Sequence, residues 1–196
     1  MFTITYIFGV VAGIISFGAY IVYIISILKG ETKPSRATWW ILTIVGSVTG
    51  ISYYFSGAVD TIWVPVADVF GIFIVAILSI KYGEGGLNPF DITCFFVSMT
   101  GLVLWYIFKS PVIALILNLS MDFVGMLPTI KKSYLEPTGE SGFSWLLTFI
   151  GNVLNFGAIG SATFGVLIYP IYMSITSGSV ATLLYFPKTR FSKKIK

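Results

Sequence analysis

The chain has no histidine and a single cysteine, Cys94, in 196 residues. That inventory excludes an internal disulfide, a CxxC redox pair and a His/Cys zinc site. Charge is also scarce: 10% of residues are Asp, Glu, Lys or Arg against 56% hydrophobic, with a mean hydropathy of +0.92. So little polar surface cannot cover a soluble globule, and the chain is expected in a bilayer. There is no G-x-S-x-G elbow and no Walker loop, so neither an enzyme nor a bound cofactor or metal is expected. A retinal protein needs a Schiff-base lysine inside the last span, and residues 165–186 contain none. The net charge of +4 sits in short turns and a tail. Membrane topology explains it better than a nucleic-acid partner does.

What the chain has in abundance is apolar runs near the roughly 20 residues that cross about 30 Å of hydrocarbon. They fall at 3–28, 37–56, 61–81, 89–108, 112–133, 143–163 and 165–186, and they read as helices because strand alternation is absent. No charge precedes Lys29, so the first run is taken as a retained span rather than a signal peptide. With the N-terminus outside and the C-terminus inside, every Lys and Arg except Lys109 falls on the inner side. Trp39, Trp40 and Trp145 then mark inner boundaries, and Tyr53, Tyr54, Trp63, Trp105 and Tyr106 outer ones, as interfacial belts.

A gapless shift of 105 residues lays Trp40 on Trp145, Thr43 on Thr148, Gly46 on Gly151, Pro65 on Pro170 and Val75 on Val180. Spans one to three therefore repeat as spans five to seven, and the extra span between them restores the same orientation, giving a parallel repeat. The expected fold is an all-α integral membrane protein of seven transmembrane helices. A first three-helix bundle covers residues 1–86, a linker helix 87–109, and a second bundle with a basic cytoplasmic tail 110–196. Gly9 with Gly13, and Gly46 with Gly50, make small-xxx-small faces suited to close helix packing.

The motif Leu127-Pro128-Thr129-Ile130-Lys131-Lys132, followed by Ser141 and Trp145, resembles the proline-glutamine turn of the PQ-loop, MtN3 and SWEET superfamily of membrane transporters. Thr129 stands where that family usually has glutamine. In the first repeat Tyr23 and Ile24 replace the pair, while Lys29, Lys33 and Arg36 keep the basic turn. The resemblance implies a three-plus-one-plus-three helix order and transport by alternating access.

Polar residues within the apolar runs supply the candidate site. A carboxylate at the middle of a span costs at least about 2.5 kcal/mol, which makes Asp122 a functional candidate. Asn118, one turn earlier, shares its face. Asp68 in span three and Asn152 with Asn155 in span six cluster near the same plane. Phe17, the repeat mate of Asp122 under the 105-residue shift, and Tyr20 and Tyr172 are candidate stacking groups. These eight residues are the expected substrate-binding set. Asp122 and Asp68 are candidates for proton coupling, Asp122 the stronger because Asp68 lies further toward the outer side. Pro65, Pro128 and Pro170 are candidate hinges. No Lys or Arg lies centrally in any span, so a proton or a cationic substrate is the expected partner of Asp122.

The expected function is a plasma (inner) membrane, multi-pass transporter of a small polar or amphipathic solute, with the bilayer and the solute as its partners and a homo-oligomer left open. A membrane receptor or sorting protein, or a vitamin-precursor importer, on the same scaffold is the alternative.

Overall fold

A computed structural model describes residues 3–85, 89, 90, 92, 93, 96, 103, 107 and 111–187. Most of the linker span 89–108, with Cys94, Trp105 and Tyr106, lies outside the described residues, as do Lys109 and the basic tail from Lys188. The described residues form helices and no strand; one isolated bridge joins Ser35 to Glu84. The helices are α1 (Ile4–Leu28), α2 (Arg36–Phe55), α3 (Trp63–Tyr82), α4 (Pro111–Leu135), α5 (Gly142–Leu154) and α6 (Phe164–Tyr185). Short 3₁₀ turns at Asp60–Ile62 and Asn155–Ala158 extend α3 at its start and α5 at its end. Four helices are long and apolar enough to cross a membrane: Ile4–Leu28, Asp60–Tyr82, Val112–Leu135 and Phe164–Tyr185.

The six helices close into a ring. α1 packs against α3 and α5, α2 against α3 and α4, and α6 against α4 and α5. The order around the ring is therefore α1, α3, α2, α4, α6, α5. Exchanging the first three helices for the last three leaves that order unchanged. End contacts fix the directions. The end of α3 meets the start of α2, through Arg36 Nε on the Ser79 carbonyl and the Ser35–Glu84 bridge. At the opposite end the starts of α1 and α3 meet, through Thr5 on Asp60, and the end of α2 meets the start of α6, through the Tyr53 hydroxyl on the Val166 carbonyl. All the described basic residues (Lys29, Lys33, Arg36, Lys81, Lys131 and Lys132) lie at the first of these ends, called the basic end below.

The caps reveal the register between the two halves. Ser35 caps α2 by accepting from the Thr38 amide, and Ser141 caps α5 by accepting from the Ser144 amide. Four residues after each cap stands a buried tryptophan, Trp39 and Trp145, whereas Trp40 is 36% exposed. In the first two helices of each half the shift is thus 106 residues, and the buried faces agree: Ala12 with Asn118, Ala19 with Gly125, Tyr20 with Met126, and Thr49 with Asn155. In the third helix the 105-residue shift holds, with Pro65 and Pro170, Val75 and Val180, and Ala76 and Ala181 all buried in register. The second copy is one residue shorter between its second and third helices, which a gapless comparison cannot see.

Three expectations change as a result. Trp39, Trp145 and Tyr53 are core residues rather than belt residues: Trp39 packs on Tyr23 with ring centroids 5.0 Å apart, and Tyr53 stacks on Tyr169 at 4.6 Å. Pro65 is the third residue of α3, where its missing N–H removes no intrahelical bond, so it does not interrupt the helix as expected of a hinge. Pro128 and Pro170 do lie inside α4 and α6. Finally, the two glycine pairs differ. A Cβ on Gly9 would sit 1.9 Å from the Asp60 carbonyl oxygen, and one on Gly13 would sit 2.9 Å from that of Trp63. One on Gly46 meets nothing nearer than Ile72 Cδ1 at 3.6 Å. Of these two pairs, only Gly9 and Gly13 mark a close backbone approach, that of α1 to the start of α3.

Gly9→Ala and Gly13→Ala should each lower the thermal midpoint of the detergent-solubilised protein, at a cost of about 1–3 kcal/mol for overpacking against backbone. Gly46→Ala should leave it unchanged or slightly raised, because alanine is the better helix former. Equal effects from all three would contradict this packing.

Candidate functional site

Two apolar layers bracket a polar one. Toward the basic end, Tyr20, Tyr23, Trp39, Val75, Met126, Trp145 and Val180, from all six helices, form one cluster. Toward the other end, Ala12, Tyr53, Val64, Leu115, Leu119 and Tyr169 form a second. Between them lie the carboxylates. Asp68 on α3 is 4% exposed, and each of its oxygens takes a tyrosine hydroxyl: Tyr20 donates to Oδ1 at 3.1 Å and Tyr169 to Oδ2 at 2.8 Å. Asp122 on α4 is half-buried, and Tyr172 donates to its Oδ2 at 2.6 Å. Tyr169 and Tyr172 are three residues apart on α6 and so share a face. α6 therefore holds one carboxylate from each half of the ring, through hydroxyls borne on positions roughly one helical turn, about 5 Å, apart.

Gly71 makes the Tyr20 contact possible, since a Cβ there would fall 2.1 Å from the Tyr20 ring. Asn118 is fully buried one turn from Asp122 toward the non-basic end, and it donates to Ser52 Oγ at 3.2 Å. The structure thus gathers Asp68, Asp122, Tyr20, Tyr172 and Asn118. Asn152 and Asn155 are fully buried and hydrogen-bond outside the carboxylate set: Asn152 donates to the Thr148 carbonyl of its own helix, and Asn155 to the Thr61 carbonyl. The amide oxygens of Asn118, Asn152 and Asn155 have no hydrogen-bond partner.

Phe17 does not belong to this layer. It is 43% exposed on the outer face of α1, and the residue in register with Asp122 is its neighbour Ser16, which is fully buried. The two carboxylates also rank differently from the expectation. Asp68 is the more enclosed and takes more donors, because α3 begins with a 3₁₀ turn tucked under α1 and its next two turns face the ring's interior. The corrected register keeps the interior chemically lopsided: Tyr20 and Asp68 in one half correspond to Met126 and Met173 in the other.

A second polar group, missed in the sequence, closes the basic end. The Glu140 side chain is fully buried in the α4–α5 turn. It accepts from the Tyr23 hydroxyl at 2.6 Å, the Trp145 indole at 3.3 Å and the Lys132 ammonium at 3.0 Å. Lys132 also pairs with Glu84 at 2.9 Å and donates to the carbonyls of Lys33 and Gly139. One ammonium thereby ties the ends of α1, α3 and α4 to the turn before α5. Burial pushes the Glu140 carboxyl above the usual carboxylate range, and Lys132, Tyr23 and Trp145 pull it partway back. Among the described residues, no cluster of His, Cys, Asp or Glu could hold a metal ion.

Removing Lys132 would leave a buried carboxylate with no cation. Lys132→Met should therefore destabilise the protein by roughly 3 kcal/mol or more, and adding Glu140→Gln should recover most of the loss. The sign with pH follows from the raised carboxyl: a group held above its unfolded value contributes stability at low pH that is lost as pH rises through its folded value. The thermal midpoint of Lys132→Met should fall more steeply with rising pH than that of the unsubstituted protein. Parallel curves would show that the pair does not couple.

Comparison with models of known families, with curated proteins and with solved structures returns no match for this chain, and the geometry above is what supports a function.

Proposed function

We propose that the chain is a seven-span membrane transporter, N-terminus outside, that moves a small polar or amphipathic solute through the polar layer by alternating access. Two parallel three-helix bundles, α1–α3 and α4–α6, would rock against each other, with the span between them as linker. The observation that carries this reading is the carboxylate–tyrosine layer, buried between apolar clusters at either end of the helix ring. Buried polar groups in apolar spans are costly and mark solute or proton pathways more often than simple packing. The parallel directions and the self-mapping ring order support two equivalent bundles. The Lys132–Glu140 network supports a closed mouth at the basic end, and Pro128, one turn before Lys132, lies where a bend in α4 would open it. Asp68 and Asp122 are the residues that would carry a coupled proton.

Tracer flux into proteoliposomes tests the proposal, using a panel of sugars, amino acids and organic cations. The purified protein should give saturable flux above empty vesicles for at least one solute. Asp122→Asn and Asp68→Asn should each cut that flux at least tenfold and flatten its pH dependence, with Asp68→Asn the more severe. Saturable binding with no flux would instead favour a receptor or sorting protein.

A further inference from the structure

We infer that the ligand of the carboxylate–tyrosine layer is an organic cation bearing N–H donors, such as a primary ammonium or a guanidinium. This rests on the layer being a ligand site, as the transport reading does, but not on the ligand being moved.

The first argument is a census of hydrogen-bonding capacity. The hydroxyls of Tyr20, Tyr169 and Tyr172 are already spent on Asp68 and Asp122. Asn118, one turn from Asp122 on the same face and fully buried, has committed one of its two amide N–H groups to Ser52 and keeps an unpartnered oxygen. Beside the second N–H of Asn118 and the buried, unpartnered hydroxyl of Ser16, what the layer has left to offer is mainly acceptors: the second oxygen of Asp122, which takes no donor from the described residues, and the Asn118 amide oxygen. Leaving a buried carboxylate or amide oxygen unpaired is costly, so a donor-rich ligand is favoured over an acceptor-only one.

The second argument is charge. Every Lys and Arg among the described residues lies at the basic end, and neither Asp68 nor Asp122 has an ion-pair partner among them. Two carboxylates held from neighbouring turns of α6 thus share a low-dielectric interior, and the hydrogen bonds they accept from described side chains are all from tyrosine hydroxyls. A cation between them offsets that cost, whereas a neutral polyol would leave the charge unchanged and an anion would add to it. The ring faces of Tyr20 and Tyr172 offer further attraction to a positive group. An inorganic ion fits less well. A hard cation takes six or more oxygens, and among the described residues no group of three His, Cys, Asp or Glu side chains could hold a metal ion.

Isothermal titration calorimetry on the purified full chain in lipid nanodiscs tests the inference. The probes are methylguanidinium, ethanolammonium, tetramethylammonium, glucose and acetate. The first two should bind saturably, tetramethylammonium at least tenfold more weakly because it lacks N–H donors, and glucose and acetate not measurably. Asp122→Asn should weaken cation binding at least tenfold. Asn118→Leu, which removes one acceptor and no charge, should weaken the two N–H cations more than tetramethylammonium, and the exposed Glu31→Gln should change nothing. The inference is overturned if glucose binds in preference to the cations, if Asp122→Asn binds them normally, or if neither methylguanidinium nor ethanolammonium binds. Cation binding without flux would leave this inference standing and defeat transport; flux of neutral solutes alone would do the reverse.

Discussion

Two tyrosine hydroxyls on one face of α6 hold the two halves of this molecule in relation to each other. Tyr169 reaches a carboxylate on α3 and Tyr172 one on α4, so a single helix holds both Asp68 and Asp122. The two bonds measure 2.8 and 2.6 Å, and a hydroxyl donated to a carboxylate is worth most in a low-dielectric interior. The surrounding packing is arranged to permit it: Gly71 vacates the space that the Tyr20 ring fills, and Tyr53 stacks on Tyr169 to fix its ring. Without those supports, Asp68 would be a buried charge with no donor.

The ring order turns this local arrangement into an enclosed layer. Because α1 meets α5 and α2 meets α4, the two halves touch along two seams, and the polar groups lie between them. The seams are built differently. Along α1–α5 the approach is steric, with Gly151 against Ser16 and the Ala12 carbonyl. Along α2–α4 it is polar, with Thr129 donating to Thr38 at 3.0 Å and Thr38 in turn to the capping Ser35. Thr129 occupies the place where the resembled superfamily usually has glutamine. A short hydroxyl there makes one cross-seam bond without reaching further into the interior. At the basic end the Glu140 cluster bridges both halves through a single ammonium, so closure there is electrostatic as well as apolar.

The described helices fall on apolar runs that are long and bounded by charge or glycine, and the pairing of Pro65, Val75 and Ala76 with Pro170, Val180 and Ala181 was legible because one shift keeps all three in register. The finer alignment was not. Over α2 and α5, Trp, Thr and Gly coincide by chance at 105 residues, while the true register is set by Ser35 and Ser141, whose capping role shows only when a hydroxyl meets an amide. That one-residue error made outward-facing Phe17 look like a partner of Asp122. Asp68, Asp122 and Asn118 could be picked out from the cost of polarity in apolar spans, whereas Tyr20 and Tyr172 read as stacking rings and their hydroxyl bonds to the carboxylates were not foreseen. Tyr169 could not be picked out, because an aromatic residue beside Pro170 looks like packing. Glu140 sits in a turn whose composition suggests solvation, and its burial depends on Tyr23 and Trp145, which are distant in sequence or hidden by the register error.

The most direct test of the closed ring is oxidative cross-linking across both seams in a Cys94→Ser background, with cysteine pairs at Ser16 and Gly151 and at Thr38 and Thr129. The Oγ1 atoms of the second pair are 3.0 Å apart, and a Cβ on Gly151 would lie 2.4 Å from Ser16 Oγ, so both pairs are within disulfide reach. Each pair should form an intramolecular disulfide under mild oxidant, and a chain carrying both should form both at once. Formation of either disulfide only at the expense of the other, or of intermolecular species alone, would contradict a ring that encloses the polar layer.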